Sequence, residues 1–258
     1  MSDKINFEDT TFVIPARLDT ITRLENIYLV THFLTSHFNT NIRILEADNY
    51  NNHFLEELLP SNISLRFVED YDPIFHRTKY INRLVQTCDT PYVAVWDTDV
   101  LVPPEQIIQS IEHLRANNVD FVYPYKRDFL DTSLILRELY VKTQDIELLQ
   151  KYRGKMKRLY LPDPVGGAFF ANRTTYIQSG LENESFYGWG REDGERLNRW
   201  KILEYSYKRV SGPLFHLTHE RGQNSTFHSS KQDDIKHSEI LRINSMSKEE
   251  LKDEIRTW

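Results

Sequence analysis

Short apolar runs alternate with amphipathic segments along the first half of the chain. Thr11-Phe12-Val13-Ile14 is rich in β-favouring side chains and stops at Pro15, and similar runs recur over 42–45, 63–68, 92–96 and 119–123. Each run is short and apolar on both alternating faces, which predicts buried strands rather than strands with one face in water. The intervening segments carry helical spacing. Thr22-Arg23-Leu24-Glu25 reads as a capping box, with Leu24, Ile27, Tyr28 and Leu34 on the apolar face of the helix that follows. Further helices are predicted over 54–59, 79–87 and 105–115, the last opened by Pro103-Pro104 because proline suits a first helical turn. Strands alternating with helices predict an α/β fold, a mostly parallel Rossmann-like sheet flanked by helices.

The second half is less regular. A partly charged helix is predicted over 134–152, a strand entered through Gly166-Gly167, a helix over 192–203 and a short strand over 214–217. Ser247-Lys248-Glu249-Glu250 caps a final short helix. No repeat, low-complexity tract or linker interrupts the pattern. The expectation is one domain over 1–258, with a nucleotide-binding half at about 10–125, an acceptor and catalytic half at about 126–225, and a helical extension over 226–258.

Composition narrows the partners. The chain has 258 residues, 40% hydrophobic and 27% charged, with a net charge of −6, so nucleic acid is not an expected partner. The single cysteine, Cys88, follows Leu84-Val85 and is expected to be a buried thiol; with no intrachain disulfide to form, a cytoplasmic location is expected. The first eleven residues lack the apolar run of a signal peptide, and no stretch reaches the ~18 apolar residues of a membrane span. At most peripheral membrane association is expected.

Several motifs carry chemistry. In Phe186-Tyr187-Gly188-Trp189-Gly190-Arg191-Glu192-Asp193, two glycines give a large ring backbone freedom, and two carboxylates follow at a helix start. This is the pattern of a mobile lid beside an acid/base site. Asp97-Thr98-Asp99 closes the strand over 92–96; side chains two apart on an extended chain face one way, into the crevice where open α/β sheets bind ligands. Such a pair suits a metal–diphosphate clamp, with a solvated loop as the competing reading. His216 and His219 supply imidazoles that with a carboxylate favour Mn²⁺ over Mg²⁺, but a turn after Leu217 is needed for both to reach one ion, and His219 is the safer ligand. Phe75-His76-Arg77 and Pro15-Ala16-Arg17 offer a ring and cations for a base and a phosphate; a basic helix start and an exposed loop cation are the bland readings.

Taken in order, Ile14 to Arg17, Phe75 to Lys79, Asp97 to Asp99, Gly166-Gly167, Gly188 to Asp193 and His216 to His219 resemble the β-1,4-galactosyltransferases and the bacterial chondroitin-polymerase-type transferases. The resemblance spans roughly residues 10 to 225 and is most specific from Gly166 to Phe170 and from Phe186 to Asp193. It implies a GT-A fold and an inverting, metal-dependent transfer of a hexose from a UDP-sugar to a saccharide or lipid-linked saccharide acceptor, with Mn²⁺ (or Mg²⁺) as cofactor. Residue by residue it implies that Pro15, Arg17, Phe75, Arg77 and Gly167 line the UDP site and that Asp97 lies near the donor ribose or sugar. Asp99 and His219 would hold the metal, joined by His216, which stands where the galactosyltransferases use a Met. Trp189 would be the lid residue, Asp193 the catalytic base, and Glu192 a sugar-holding partner. The chain departs from the family at Tyr187 (for Trp), Arg191 (for Gly) and Gly194, which breaks the run of acids. Asp163-Pro164-Val165 departs where the family selects galactose or N-acetylgalactosamine, so that choice stays open. A metal-dependent nucleotide-sugar hydrolase or nucleotidyltransferase uses the same Asp and His set without needing the lid, and a non-catalytic carbohydrate-binding module uses only the aromatics.

Overall fold

The computed structural model describes residues 4–226 and 229–258. Residues 1–3 of the expected domain, and 227–228 at the start of the expected extension, lie outside the described residues. The chain runs β1 (Ile5–Ala16), α1 (Ile21–His37), β2 (Phe38–Asp48), α2 (Phe54–Leu58), β3 (Ser64–Glu69), α3 (Arg77–Gln86), β4 (Tyr92–Trp96), β5 (Val100–Leu101) and α4 (Pro104–Arg115). It continues through β6 (Phe121–Tyr123), β7 (Phe129–Asp131), α5 (Leu134–Thr143), α6 (Ile146–Tyr152), β8 (Lys157–Arg158), β9 (Ala168–Asn172) and α7 (Arg173–Gln178). It ends with α8 (Glu192–Ile202), β10 (Tyr207–Arg209), β11 (Leu214–His216), α9 (Ser230–Asn244) and α10 (Lys248–Ile255).

Seven strands form the main sheet in the order β10-β6-β9-β4-β1-β2-β3, and β9 alone runs antiparallel to its neighbours. A smaller sheet, β5-β11-β7-β8, lies beside the main one. The apolar runs read from the sequence occupy β1 to β4, β6 and β9, and most are buried as a continuous run predicts: Phe12, Val13 and Ile14 have no exposed surface. β3 differs because it is an edge strand, paired on one side only, and its residues are half-buried or exposed. Phe12 meets Trp96 and Phe170 edge-on at 5.3 and 5.7 Å, tying β1, β4 and β9 together. Trp200 of α8 stacks on Phe121 of β6 with ring centroids 3.6 Å apart, which fixes the helix carrying Glu192 and Asp193 against the sheet. Leu203, Ile243 and Leu251 form a second small cluster that anchors the C-terminal helices to the end of α8.

Three expectations need correction. The cap of α1 is Thr20, whose hydroxyl accepts from the Arg23 N–H at 3.2 Å; Thr22 lies inside the helix, and Glu25 is drawn instead to Arg137 at 2.6 Å. The helix predicted over 134–152 is two helices, because Gln144 turns left-handed at φ 50° and Asp145 caps a new start by accepting from the Glu147 N–H. The Asp97–Asp99 segment is a turn after β4 rather than its continuation, so the two carboxylates part company as described below.

Glu46, on β2, is buried, and its Oε1 has no hydrogen-bond partner. Burial pushes its carboxyl up to about 7, with Asp48 and Glu56 adding to the effect and His53 opposing it. The folded protein therefore holds a proton that the unfolded chain has lost between about pH 4.5 and 7, and stability falls as pH rises through that window. The expected outcome is a urea midpoint that drops from pH 5 to pH 8 and a smaller drop in Glu46→Gln, at about 1.4 kcal/mol per unit of the shift removed. Identical pH profiles in the two proteins would contradict it.

Candidate active site

A cavity of about 580 Å³ opens at the carboxyl ends of β1 and β4. Pro15, Arg17, Phe75, Arg77, Asp97, Asp99, Gly167, Trp189, Glu192, Asp193, His216 and His219 all line it. Every site residue expected from the sequence thus reaches one cavity, although not every one plays the part expected.

Asp99 faces the histidines. The small sheet sets this up by register, since His216 pairs with Val100 of β5 on one side and with Asp131 of β7 on the other. The indole N–H of Trp96 donates to the Val100 carbonyl at 3.0 Å, closing the Asp97–Asp99 turn, and the Leu217 N–H donates to the Asp99 carbonyl at 2.7 Å. The strand ends at His216, so the chain turns and both imidazoles converge. Asp99 Oδ2 lies 3.1 Å from His219 Nε2 and 3.7 Å from His216 Nε2. On each histidine the other nitrogen is taken: His219 Nδ1 meets the Glu220 carbonyl at 2.8 Å and His216 Nδ1 meets Asp131 Oδ1 at 2.8 Å. A carbonyl only accepts, so His219 carries a proton on Nδ1, and its Nε2 is the nitrogen that faces Asp99. That is the arrangement of metal-ligating imidazoles oriented by outer partners. One oxygen and two nitrogens within 4.8 Å of one another form a three-ligand set with room for oxygens from elsewhere. Burial opposes ionisation of Asp99, but the two imidazoles outweigh it and hold its carboxyl well below the usual range. For His216 burial likewise opposes charge, and Asp99 and Asp131 win, raising it.

Asp97 points the other way, to Arg77 at the start of α3. Arg77 Nη2 and Nε donate to Asp97 Oδ1 at 2.5 and 3.1 Å. The same guanidinium stands 3.9 Å from Glu192 and 4.0 Å from Asp193. Its Nη1 is buried without a hydrogen-bond partner, as is Glu192 Oε2. Burial disfavours the charge on Arg77, but Asp97, Asp193 and Glu192 together more than offset that and keep it protonated. Burial and then Asp193 push Glu192 up to about 7, against the pull of Arg77.

Asp193 rests on a glycine. A Cβ on Gly166 would come within 2.6 Å of Asp193 Oδ2, so only glycine lets the carboxylate lie against the entrance to β9. From behind, the fully buried Arg196 reaches Asp193 Oδ1 at 2.9 Å and both oxygens of Glu182 at 3.0 Å. Glu195, the next acid in sequence, turns away from the cavity to pair with Arg199 at 2.7 Å inside the protein.

Arg17 is a buried brace rather than an exposed cation. It donates to the Ala47 and Asp72 carbonyls and to Asp70, all within 2.9 Å, and lies over the Phe75 ring at 5.4 Å. The Phe75 N–H donates to Asn224 at 2.9 Å. The Gly-Trp-Gly loop is held by residues that the sequence reading did not single out. Gly188 and Gly190 have φ of 73° and 101°, open only to glycine at low cost. Tyr187 donates to Asp72 at 2.5 Å, Lys236 of α9 donates to the Trp189 carbonyl at 2.6 Å, and Arg191 makes a two-point ion pair with Asp233 of α9 at 2.6 and 3.0 Å. Arg23, Tyr160, Leu161, Arg221 and Ser225 also line the cavity unforeseen. Arg221, two residues past His219, is the one that proximity in sequence signals.

No family model matches the chain, and no curated protein matches it. Among solved structures it is similar to the catalytic domain of Drosophila β1,4-galactosyltransferase 7 in complex with xylobiose, at 16% identity over 90% of this chain and 79% of that one, with a TM-score of 0.56. A mutant of that enzyme in complex with manganese, UDP-Gal and xylobiose is similar at 15% identity, with the same coverage and TM-score. The likeness shows that the chain has the galactosyltransferase, GT-A type of fold expected from its motifs.

The contact between Gly166 and Asp193 is open to a direct test. Gly166→Ala should destabilise the protein by about 1–3 kcal/mol, as overpacking does. In an Asp193→Ala background the same change should cost clearly less, because the carboxylate it strikes is gone. Additive urea-denaturation energies across the four proteins would show that the two residues do not meet.

Proposed function

We propose that this chain is an inverting, Mn²⁺-dependent glycosyltransferase that moves a hexose, galactose or N-acetylgalactosamine, from a UDP-sugar to a saccharide hydroxyl. The observation that carries the reading is the convergence on one cavity of the Asp99–His216–His219 ligand set, the buried Arg77 Nη1 without a hydrogen-bond partner, and the Asp193 carboxylate behind a Gly-Trp-Gly loop. Manganese, UDP-Gal and a disaccharide are bound by a mutant of the enzyme with the similar fold, which supports the same ligand classes here. The finer setting we propose is bacterial surface polysaccharide synthesis in the cytoplasm.

Asp99, His216 and His219 would hold the cation, which supplies positive charge against the departing diphosphate. Arg77 adds a fixed guanidinium for the same anion, its free Nη1 being the donor that remains after Asp97 is satisfied. Arg17 acts through Phe75, holding the ring in place for the uracil. Asp193 takes the proton of the acceptor hydroxyl as that oxygen attacks the anomeric carbon from the face opposite the diphosphate. Its ion pair with Arg196 holds it in place. Glu192, held near neutrality, is a hydrogen-bond donor to a sugar oxygen below about pH 7. Trp189, carried on the loop between the acids and the cavity, excludes water from the donor.

A panel of UDP-sugars with Mn²⁺ should raise the melting temperature, since a ligand at 100 times its Kd stabilises by about 2.7 kcal/mol. Asp99→Asn or His219→Ala should abolish the Mn²⁺-dependent part. Asp193→Asn should keep the donor shift while turnover falls by about 10²–10⁴, and NMR of the product should show inverted anomeric configuration. Absence of any UDP-sugar shift would remove the reading, and donor cleavage that outruns transfer in the presence of an acceptor would turn it into a hydrolase.

A further inference from the structure

An acidic chain carries a concentrated basic segment. Residues 151–158, Lys-Tyr-Arg-Gly-Lys-Met-Lys-Arg, contain five cations and no acid, in a protein of net charge −6. Arg158 is taken up by Asp128 at 2.5 Å, whereas Lys151, Arg153, Lys155 and Lys157 are exposed, and Lys151 lies over the Tyr152 ring. Large apolar side chains flank this segment. The pairing of β8 with β7 sets Lys157 opposite Asp131, and three residues beyond Asp131 helix α5 begins with Leu134 and Ile135, 72% and 73% exposed. Three residues beyond Arg158, Leu161 is 85% exposed and lines the mouth of the cavity, and Tyr160 beside it packs edge-on to Phe129 at 5.1 Å.

We infer that this face, from α6 through β8 to the start of α5, docks peripherally on a bilayer that carries anionic lipid headgroups. Charge complementarity selects the occupant: residues 151–158 hold five cations and no acid, which outnumber the neighbouring Glu147 of α6, Asp128 just before β7 and Asp131 of β7, and each cation near an anionic surface is worth about 1 kcal/mol. The aliphatic residues narrow it to a bilayer. Leucine and isoleucine standing in water gain by entering the headgroup–acyl boundary, and tyrosines suit its edge. A soluble anionic glycan would reward the cations but leave the aliphatics unused. Resting on the transferase reading, the position of Leu161 also turns the cavity mouth toward that surface, so the acceptor would be a saccharide carried on a lipid.

Flotation of the full chain with phosphatidylcholine vesicles, with and without phosphatidylglycerol, tests the surface. Binding is expected only with phosphatidylglycerol and should weaken with salt. A Lys151→Ser/Arg153→Ser/Lys155→Ser variant should partition about a hundredfold more weakly, at roughly fivefold per cation, and Leu134→Ser/Ile135→Ser about tenfold more weakly. All five positions are exposed, so both variants should keep the wild-type melting curve and the Mn²⁺–UDP shift. That second readout separates failure of the surface from failure of the transferase reading. Wild-type protein that ignores anionic vesicles at low salt, or variants that float as well as wild type, would overturn the inference. Binding to dextran sulfate without binding to vesicles would overturn it in favour of an anionic glycan.

Discussion

Arg77 is the charge on which the cavity depends. Asp97 comes from the turn after β4, whereas Glu192 and Asp193 come from the first turn of α8, almost a hundred positions later in the chain. Three carboxylates so close, largely cut off from water, repel one another and would protonate or splay apart without a cation between them. Arg77 stands between them, bonded to Asp97 and within 4.0 Å of the other two. Arg196 performs the complementary task behind the cavity, where it joins Asp193 to the buried Glu182. The two arginines divide the acids: Asp193 lies within reach of both, while Glu192 is near Arg77 alone and is pushed up to about 7 by burial and by Asp193. Neighbouring carboxyls placed in unlike surroundings are how a fold separates the behaviour of two chemically similar groups.

The metal-ligand set depends on a different constraint, strand register. β11 is only three residues long, yet it is paired on both sides, and the pairing lays His216 against Val100 and Asp131 at once. A slip of one residue would turn the imidazole to the opposite face. Asn26 of α1 locks the register by donating to the Leu217 carbonyl at 2.9 Å, and Arg137 in turn donates to Asn26. Three elements distant in sequence thus hold a histidine that local propensity alone would leave undetermined.

This contrast explains what could be read from the sequence. The parallel strands were legible because burial on both faces leaves an unbroken apolar run, as in Val93-Ala94-Val95-Trp96. The cavity residues were legible because they follow strands, at the edge where α/β sheets bind ligands. What was not legible depends on partners far away in the chain. β8 and β10 are two and three residues long, carry charged side chains and exist only through their neighbours. Arg17 looks like a loop cation until the carbonyls of Ala47 and Asp72 arrive to accept from it. Lys236 lies in a polar helix with no motif, and its burial against the Trp189 carbonyl follows from where α9 packs.

That packing alters how the Gly-Trp-Gly segment can behave. Two glycines suggest a loop free to swing, but here it is tethered on both flanks, by Tyr187 to Asp72 and by Arg191 to Asp233, with Lys236 holding the middle. The tethers are unequal. The Arg191–Asp233 pair is solvent-accessible, and water screens its attraction. Lys236 is buried, and withdrawing its ammonium would strand both that charge and the Trp189 carbonyl it satisfies. The buried anchor therefore sits at the centre of the loop, between Gly188 and Gly190, whose left-handed torsions set its shape. Lys236 and Asp233 of α9 both reach this loop beside the cavity, so the C-terminal helices border the candidate site even though the motifs read from the sequence end before them.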